Sequence, residues 1–139
     1  MLFPKKVKHR KWQVLRKNPN KIGKASRGTD INFGMAALKT RDYGRITSRQ
    51  IEAARKILSR STGKTGKIWI RIFPDRPYTK KPPEVKMGKG KGDPEGFMTE
   101  VYPGRILFEV DGVTPEVAER GLEKAGKKLP VKTKVVLRH

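Results

Sequence analysis

Few residues in this chain could perform covalent chemistry. Of its two histidines, His9 lies in a basic stretch and His139 is the last residue, so neither has a rigid frame to hold a catalytic geometry. There is no cysteine, which excludes disulfides, thiolate nucleophiles and cysteine-based metal sites. Serines and threonines occur, but the body of the chain offers no histidine to activate them. Glu116 and Glu119 fall on an exposed helix face, where they need only be solubilising charge. No His/Asp/Glu cluster has metal-ligand spacing. The chain is therefore not expected to be an enzyme, and no catalytic residue, metal or cofactor is expected.

Two glycine–lysine stretches invite a different chemistry, the binding of phosphate. Thr62-Gly63-Lys64-Thr65-Gly66-Lys67 resembles a phosphate loop, but Leu58 stands where the Walker pattern needs its first glycine. A helix also precedes it and a strand follows, the reverse of that motif, so it reads as a basic turn. The second stretch runs from Glu84 to Asp93 and places Gly88, Gly90 and Gly92 at every second position, with Lys86, Met87, Lys89 and Lys91 around them. It is no dinucleotide fingerprint, because Asp93-Pro94 follows where a helix should start. Glycines give it a backbone of little steric preference and lysines give it point charges. Before it, Pro74, Pro77, Pro82 and Pro83 stiffen the approach. A stiff stalk with a mobile cationic tip suits contact with a polyanion.

The elements that must position this tip can be read in order. Residues 1–28 form a basic arm expected to bind RNA, containing Lys5, Lys6, Lys8, Arg10 and Lys11, and the first acid is Asp30. Such a block repels itself and carries little apolar surface, so it would order on contact, with Trp12 free to stack on a base or pack on the body. Residues 29–139 read as a single domain with an extended loop at about 74–96. Ile31, Phe33 and Met35 alternate as in a strand, weakened by Gly34, and Asp42 to Ile46 suits a turn or short strand. Thr47 and Gln50 make a capping box, and Ile51, Ala54, Ile57 and Leu58 then mark the apolar face of a helix ended by Gly63. Arg49, Arg55, Lys56 and Arg60 decorate its other faces. Lys67 to Phe73 is a strand with Ile68, Ile70 and Ile72 inward and Trp69, Arg71 and Phe73 outward. Two further strands, 97–102 and 105–111, flank Pro103-Gly104 as a hairpin turn. Thr114 with Pro115 starts a second helix buried through Val117, Ala118, Leu122 and Ala125, with Gly121 suited to close packing. Val131 to Leu137 makes a last strand. Short links between strands argue for an α+β fold, a mainly antiparallel sheet packed with two helices.

Composition narrows the partner. In 139 residues, 34 Lys and Arg against 13 Asp and Glu leave a net charge of +21, which a compact chain tolerates mainly when a polyanion neutralises it. Neither helix is a basic amphipath built for bilayer insertion and no apolar run reaches spanning length, so nucleic acid is expected and a membrane is not. No secretory leader is legible, which makes the cytoplasm the simplest location. Residues 93–123 carry eight acids and two arginines, so this segment should face away from the polyanion, toward solvent or a basic neighbour.

Three stretches, 49–55, 66–75 and 86–92, resemble the signatures of the bacterial large-subunit ribosomal protein L-sixteen family. Met1 to Lys5 and Lys128 to Thr133 are similar to its two ends, so the resemblance covers nearly the whole chain. It implies an α/β-hammerhead-like fold and a structural role in the large ribosomal subunit. It also implies binding to large-subunit rRNA, support of late assembly, and positioning of A-site tRNA near the peptidyl-transferase centre. Neighbouring ribosomal proteins are implied as partners, and no homo-oligomer. On this reading Lys5, Lys6, Lys8, Arg10, Lys11, Arg49, Arg55, Lys56, Arg71, Lys80 and Lys81 face rRNA. The loop residues Lys86, Met87, Gly88, Lys89, Gly90, Lys91 and Gly92 approach tRNA. Lys86 stands where the family usually has arginine, so a guanidinium fork is absent there. The alternative is a free RNA- or DNA-binding module such as an RNA chaperone or nucleoid protein.

Overall fold

The structure is a computed structural model, and it describes residues 1–15, 17–18, 21–81, 88 and 90–138. Lys86, Met87 and Lys89 of the tip, Pro82 and Pro83 of its approach, and His139 lie outside the described residues. The strands are β1 (Ala36–Thr40), β2 (Gly44–Thr47), β3 (Lys67–Ile70), β4 (Arg76–Lys80), β5 (Asp93–Val101), β6 (Ile106–Asp111) and β7 (Thr133–Leu137). The helices are α1 (Ser48–Thr62) and α2 (Pro115–Gly126). The α+β class is as expected, but the strands divide into two antiparallel sheets, ordered β3-β6-β1-β7 and β2-β5-β4.

Both helices begin where their caps require. Thr47 accepts from the Gln50 backbone and the Gln50 side chain accepts from the Thr47 N–H, a closed capping box. Ile46 and Ile51, flanking that box, are both buried. Thr114 caps α2 ahead of Pro115, and Gly121 lets α2 lie directly on α1: a Cβ there would sit 3.0 Å from the Ser61 Cβ. The strands show why the sheets fold over the helices. Ile70, Phe108, Leu38 and Val135 are cross-strand neighbours on the face where Leu38 approaches α2. Trp69, Glu109, Ala37 and Val136 form the adjacent row, which points the other way.

Two local expectations are corrected. Pro103-Gly104 does make a turn, with the Arg105 N–H donating to Tyr102, but it is not a hairpin, because β5 and β6 belong to different sheets. The register of β1 on β6 also slips, leaving Leu107 as an extra residue opposite Leu38 and Lys39. In addition, the alternating stretch Ile31–Met35 is not a strand; β1 starts after it, at Ala36. Gly34 explains this, since a Cβ there would lie 2.5 Å from the Val110 carbonyl oxygen. Residues 32–34 instead turn their N–H groups to the Glu109 carboxylate, and pairing begins at Met35, which donates to Val110 and accepts from Arg138.

Candidate nucleic-acid interface

The approach to the tip is a β-ribbon. β4 pairs with β5 from Arg76↔Met98 to Lys80↔Asp93, so hydrogen bonding holds it together as well as its prolines. The three tip glycines then differ in purpose. A Cβ on Gly92 would lie 2.9 Å from the Lys80 backbone, so this residue serves close strand approach. Gly88 and Gly90 have φ of 89° and 96° with open space around them, a conformation that side-chain-bearing residues rarely adopt. Lys80, Lys91 and Asp93 are exposed, and Lys81 is half-buried.

The basic arm does not lie apart from this ribbon. Arg76, itself buried, donates to the carbonyls of Gln13 and Val14, the latter at 2.8 Å, and its guanidinium sits 5.4 Å from the Trp12 ring centroid. Arg45 donates to Val14 and to Leu15, the second at 3.1 Å. Further out, Lys91 donates to the Trp12 carbonyl and Lys11 donates to the Lys91 carbonyl at 3.4 Å. The two arginines converge on one acid: Glu100 lies 3.4 Å from Arg76, 3.6 Å from Arg45 and 3.9 Å from Lys17. Its other oxygen accepts from the Tyr102 hydroxyl at 2.9 Å. Trp12 therefore packs on the body, one of the two roles its sequence position allowed.

A second acid anchors the segment that follows the arm. The Glu109 carboxylate is fully buried and accepts from three successive backbone N–H groups, Asn32 at 3.0 Å, Phe33 at 2.9 Å and Gly34 at 3.0 Å. Its other oxygen accepts from Arg71, whose guanidinium lies 5.1 Å from the Phe33 ring, while Phe33 stacks on Trp69. Burial pushes this carboxyl up, but the Gly34 and Phe33 N–H groups and Arg71 outweigh burial and hold it below the usual carboxylate range. Arg105 completes the attachment, donating to the carbonyls of Arg27 and Arg71, both at 3.2 Å. The acidic stretch is thus not uniformly turned outward: Glu100 helps hold the arm and Glu109 holds residues 32–34, whereas Glu116, Glu119 and Glu123 on α2 are exposed.

The cations expected to meet RNA fall into two groups. Lys5, Lys6, Lys8, Arg10, Lys11, Arg49, Lys56 and Lys80 are exposed. Arg71 and Arg55 are engaged within the protein: Arg55 donates to Glu52 at 2.5 and 3.0 Å and holds that carboxyl below its usual range. The anchoring roles of Glu100, Glu109, Arg45, Arg76 and Arg105 escaped the sequence reading. One signal was available for Glu109, a lone charge inside the run Ile106-Leu107-Phe108-Glu109-Val110, because an unbroken apolar strand is buried on both faces.

Among the described residues no group of acids and histidines could hold a metal, and no helix is long and apolar enough to cross a membrane. An α+β body whose acids are partly spent on holding a basic arm, leaving cations outermost, is that of a polyanion-binding structural protein. Comparison makes this specific. The model of the ribosomal protein L16p/L10e family matches residues 4–136, and the chain belongs to that family, one of ribosomal structural proteins rather than of enzymes. It is 52% identical over 139 residues to the large ribosomal subunit protein uL16 of Azobacteroides pseudotrichonymphae, covering 100% of this chain and 94% of that protein. The ribosome of the cytoplasm is accordingly its place of work.

Proposed function

We propose that this protein is an RNA-anchored scaffold of the large ribosomal subunit that holds its Gly–Lys tip toward tRNA in the A site. Lys5, Lys6, Lys8, Arg10, Lys11, Arg49, Arg55, Lys56, Arg71, Lys80 and Lys81 contact large-subunit rRNA on this reading. The stretch Lys86 to Gly92 approaches tRNA near the peptidyl-transferase centre. Arm and tip together support late assembly of the subunit, and the protein works as a single copy among ribosomal neighbours. The observation that carries the reading is the docking of the basic arm along the ribbon that bears the tip, which brings the exposed Lys11 and Lys91 together. Family membership supports the rRNA part of it and disfavours a free RNA chaperone.

The test separates the two tasks. Changing Lys86, Lys89 and Lys91 together to Ala should weaken A-site tRNA binding more than it slows subunit assembly. Deleting residues 1–12 should do the reverse, read as subunit yield on sucrose gradients. Equal assembly defects from both changes would overturn the division. Cryo-microscopy of the large subunit with A-site tRNA would locate the tip directly.

A further inference from the structure

A second cationic surface lies on the helix pair. Where the last turns of α2 pass the second half of α1, Ile57, Arg60 and Ser61 of α1 and Lys124, Lys127 and Lys128 line an open groove. Its floor is apolar and half-buried at Ile57, and its rim is four exposed cations contributed by two elements. None of the four has a side-chain partner among the described residues, whereas Arg45, Arg55, Arg71, Arg76 and Arg105 are all occupied. Among the described residues no acid lines this groove. The acids Glu119 and Glu123 of α2 lie on its other flank, bordering a surface shared with Arg41, Lys134 and Lys127, so Lys127 is common to both surfaces while Arg60, Lys124 and Lys128 face the groove alone.

We propose that the α1–α2 groove is a second RNA-binding site that takes the sugar–phosphate backbone, with Arg60 on one wall and Lys124, Lys127 and Lys128 on the other. The chemistry favours phosphate. Arg60, Lys124 and Lys128 are like charges that repel until an anion enters, and a backbone strand supplies phosphates in a row. Arg60 can pair two phosphate oxygens through its planar fork, while the lysines act as point charges around it. Aliphatic stems and Ile57 suit the sugar edge between phosphates. The site rests on the proposed RNA-bound function but extends it to the face opposite in purpose to the tip, so that the protein would hold RNA at both the arm and the helix pair.

Two measurements decide it. The variant with Arg60, Lys124, Lys127 and Lys128 all changed to Gln, its fold checked by circular dichroism, is titrated with transcribed large-subunit rRNA across a salt series. The slope of log affinity against log salt should shrink by about 3, since each neutralised phosphate contributes about 0.7–0.9. An unchanged slope, with wild type still binding, overturns this site and leaves the proposed function standing; failure of wild type to bind overturns that function instead. In the second experiment Lys128→Cys supplies the only thiol in a chain that has none, and an aryl azide is attached there before assembly into large subunits. Crosslinking to rRNA supports the proposal. Crosslinking to a protein neighbour, which would mark the groove as a seat for an acidic segment, overturns it.

Discussion

Glu109 shows how one buried charge can organise a segment without any regular structure. Its carboxylate gathers the N–H groups of residues 32–34 and the Arg71 guanidinium, so four donors meet one acceptor group inside the protein. Glutamine there keeps one oxygen for the three N–H groups but sets an amide NH2 against the Arg71 guanidinium, leaving its charge unpaired, and such losses cost about 3 kcal/mol. Glu109→Gln should therefore lower the urea midpoint markedly at pH 7. Because the folded carboxyl titrates below the unfolded one, near pH 4.3 as in any unfolded chain, this stabilisation is complete above about that pH. It fades as the pH falls through the folded value. The gap between wild type and variant should thus narrow on acidification below about pH 4. A gap that stayed constant to low pH would show that shape, not charge, sets the cost. The apolar neighbours of Glu109 hinted at its burial, but the partners could not be read: Arg71 and residues 32–34 lie 38 and about 76 positions away.

At the scale of elements, the arm and the ribbon behave as one unit because Arg76 and Arg45 each join Glu100 to arm carbonyls, Arg76 through its two separate Nη groups and Arg45 through Nη2 alone. Individually these contacts are modest, at 3.4 Å or longer to the carboxylate and partly exposed to water. Their effect is to orient. Trp12 reports on it, since it packs on Arg76. In a Trp69→Phe background, where Trp12 is the remaining indole, Arg76→Ala should shift its emission to the red and raise its quenching by acrylamide. Glu100→Gln should give a smaller change in the same direction. Unaltered quenching in both would mean that the arm does not lean on the ribbon in solution. The coupling also qualifies the expectation of an arm that orders only on RNA: part of its register is preset by the body. Both helices, by contrast, were legible from Thr47/Gln50 and Thr114/Pro115, because capping is decided within four residues.

The whole molecule is governed by its charge of +21. The ion pairs among the described residues are mostly partly exposed, and such pairs contribute little, whereas repulsion among unpaired cations acts across the entire surface. Screening should therefore relieve more repulsion than it removes attraction. The free protein's Tm should rise by several degrees between about 20 and 200 mM salt, over which the Debye length contracts below the spacing of surface charges. Over the same range its affinity for RNA should fall by orders of magnitude if about 6–10 phosphates are contacted. A Tm that dropped with salt would mean that the Glu100, Glu109 and Glu52 pairs dominate stability.

Residues 1–139 alone determined the charge, the lack of cysteine, the two capped helices and the glycine–lysine tip, since each depends on composition or on neighbours within a few positions. Tertiary structure decided what is long-range. It sent β5 and β6 to different sheets across a turn whose local chemistry fits a hairpin equally well. It spent Glu100 on the arm and Glu109 on residues 32–34, and it set Arg60 beside Lys124 and Lys128. Sheet partnership and charge pairing join residues tens of positions apart, and what selects them is the burial they achieve together, which no short window of sequence contains.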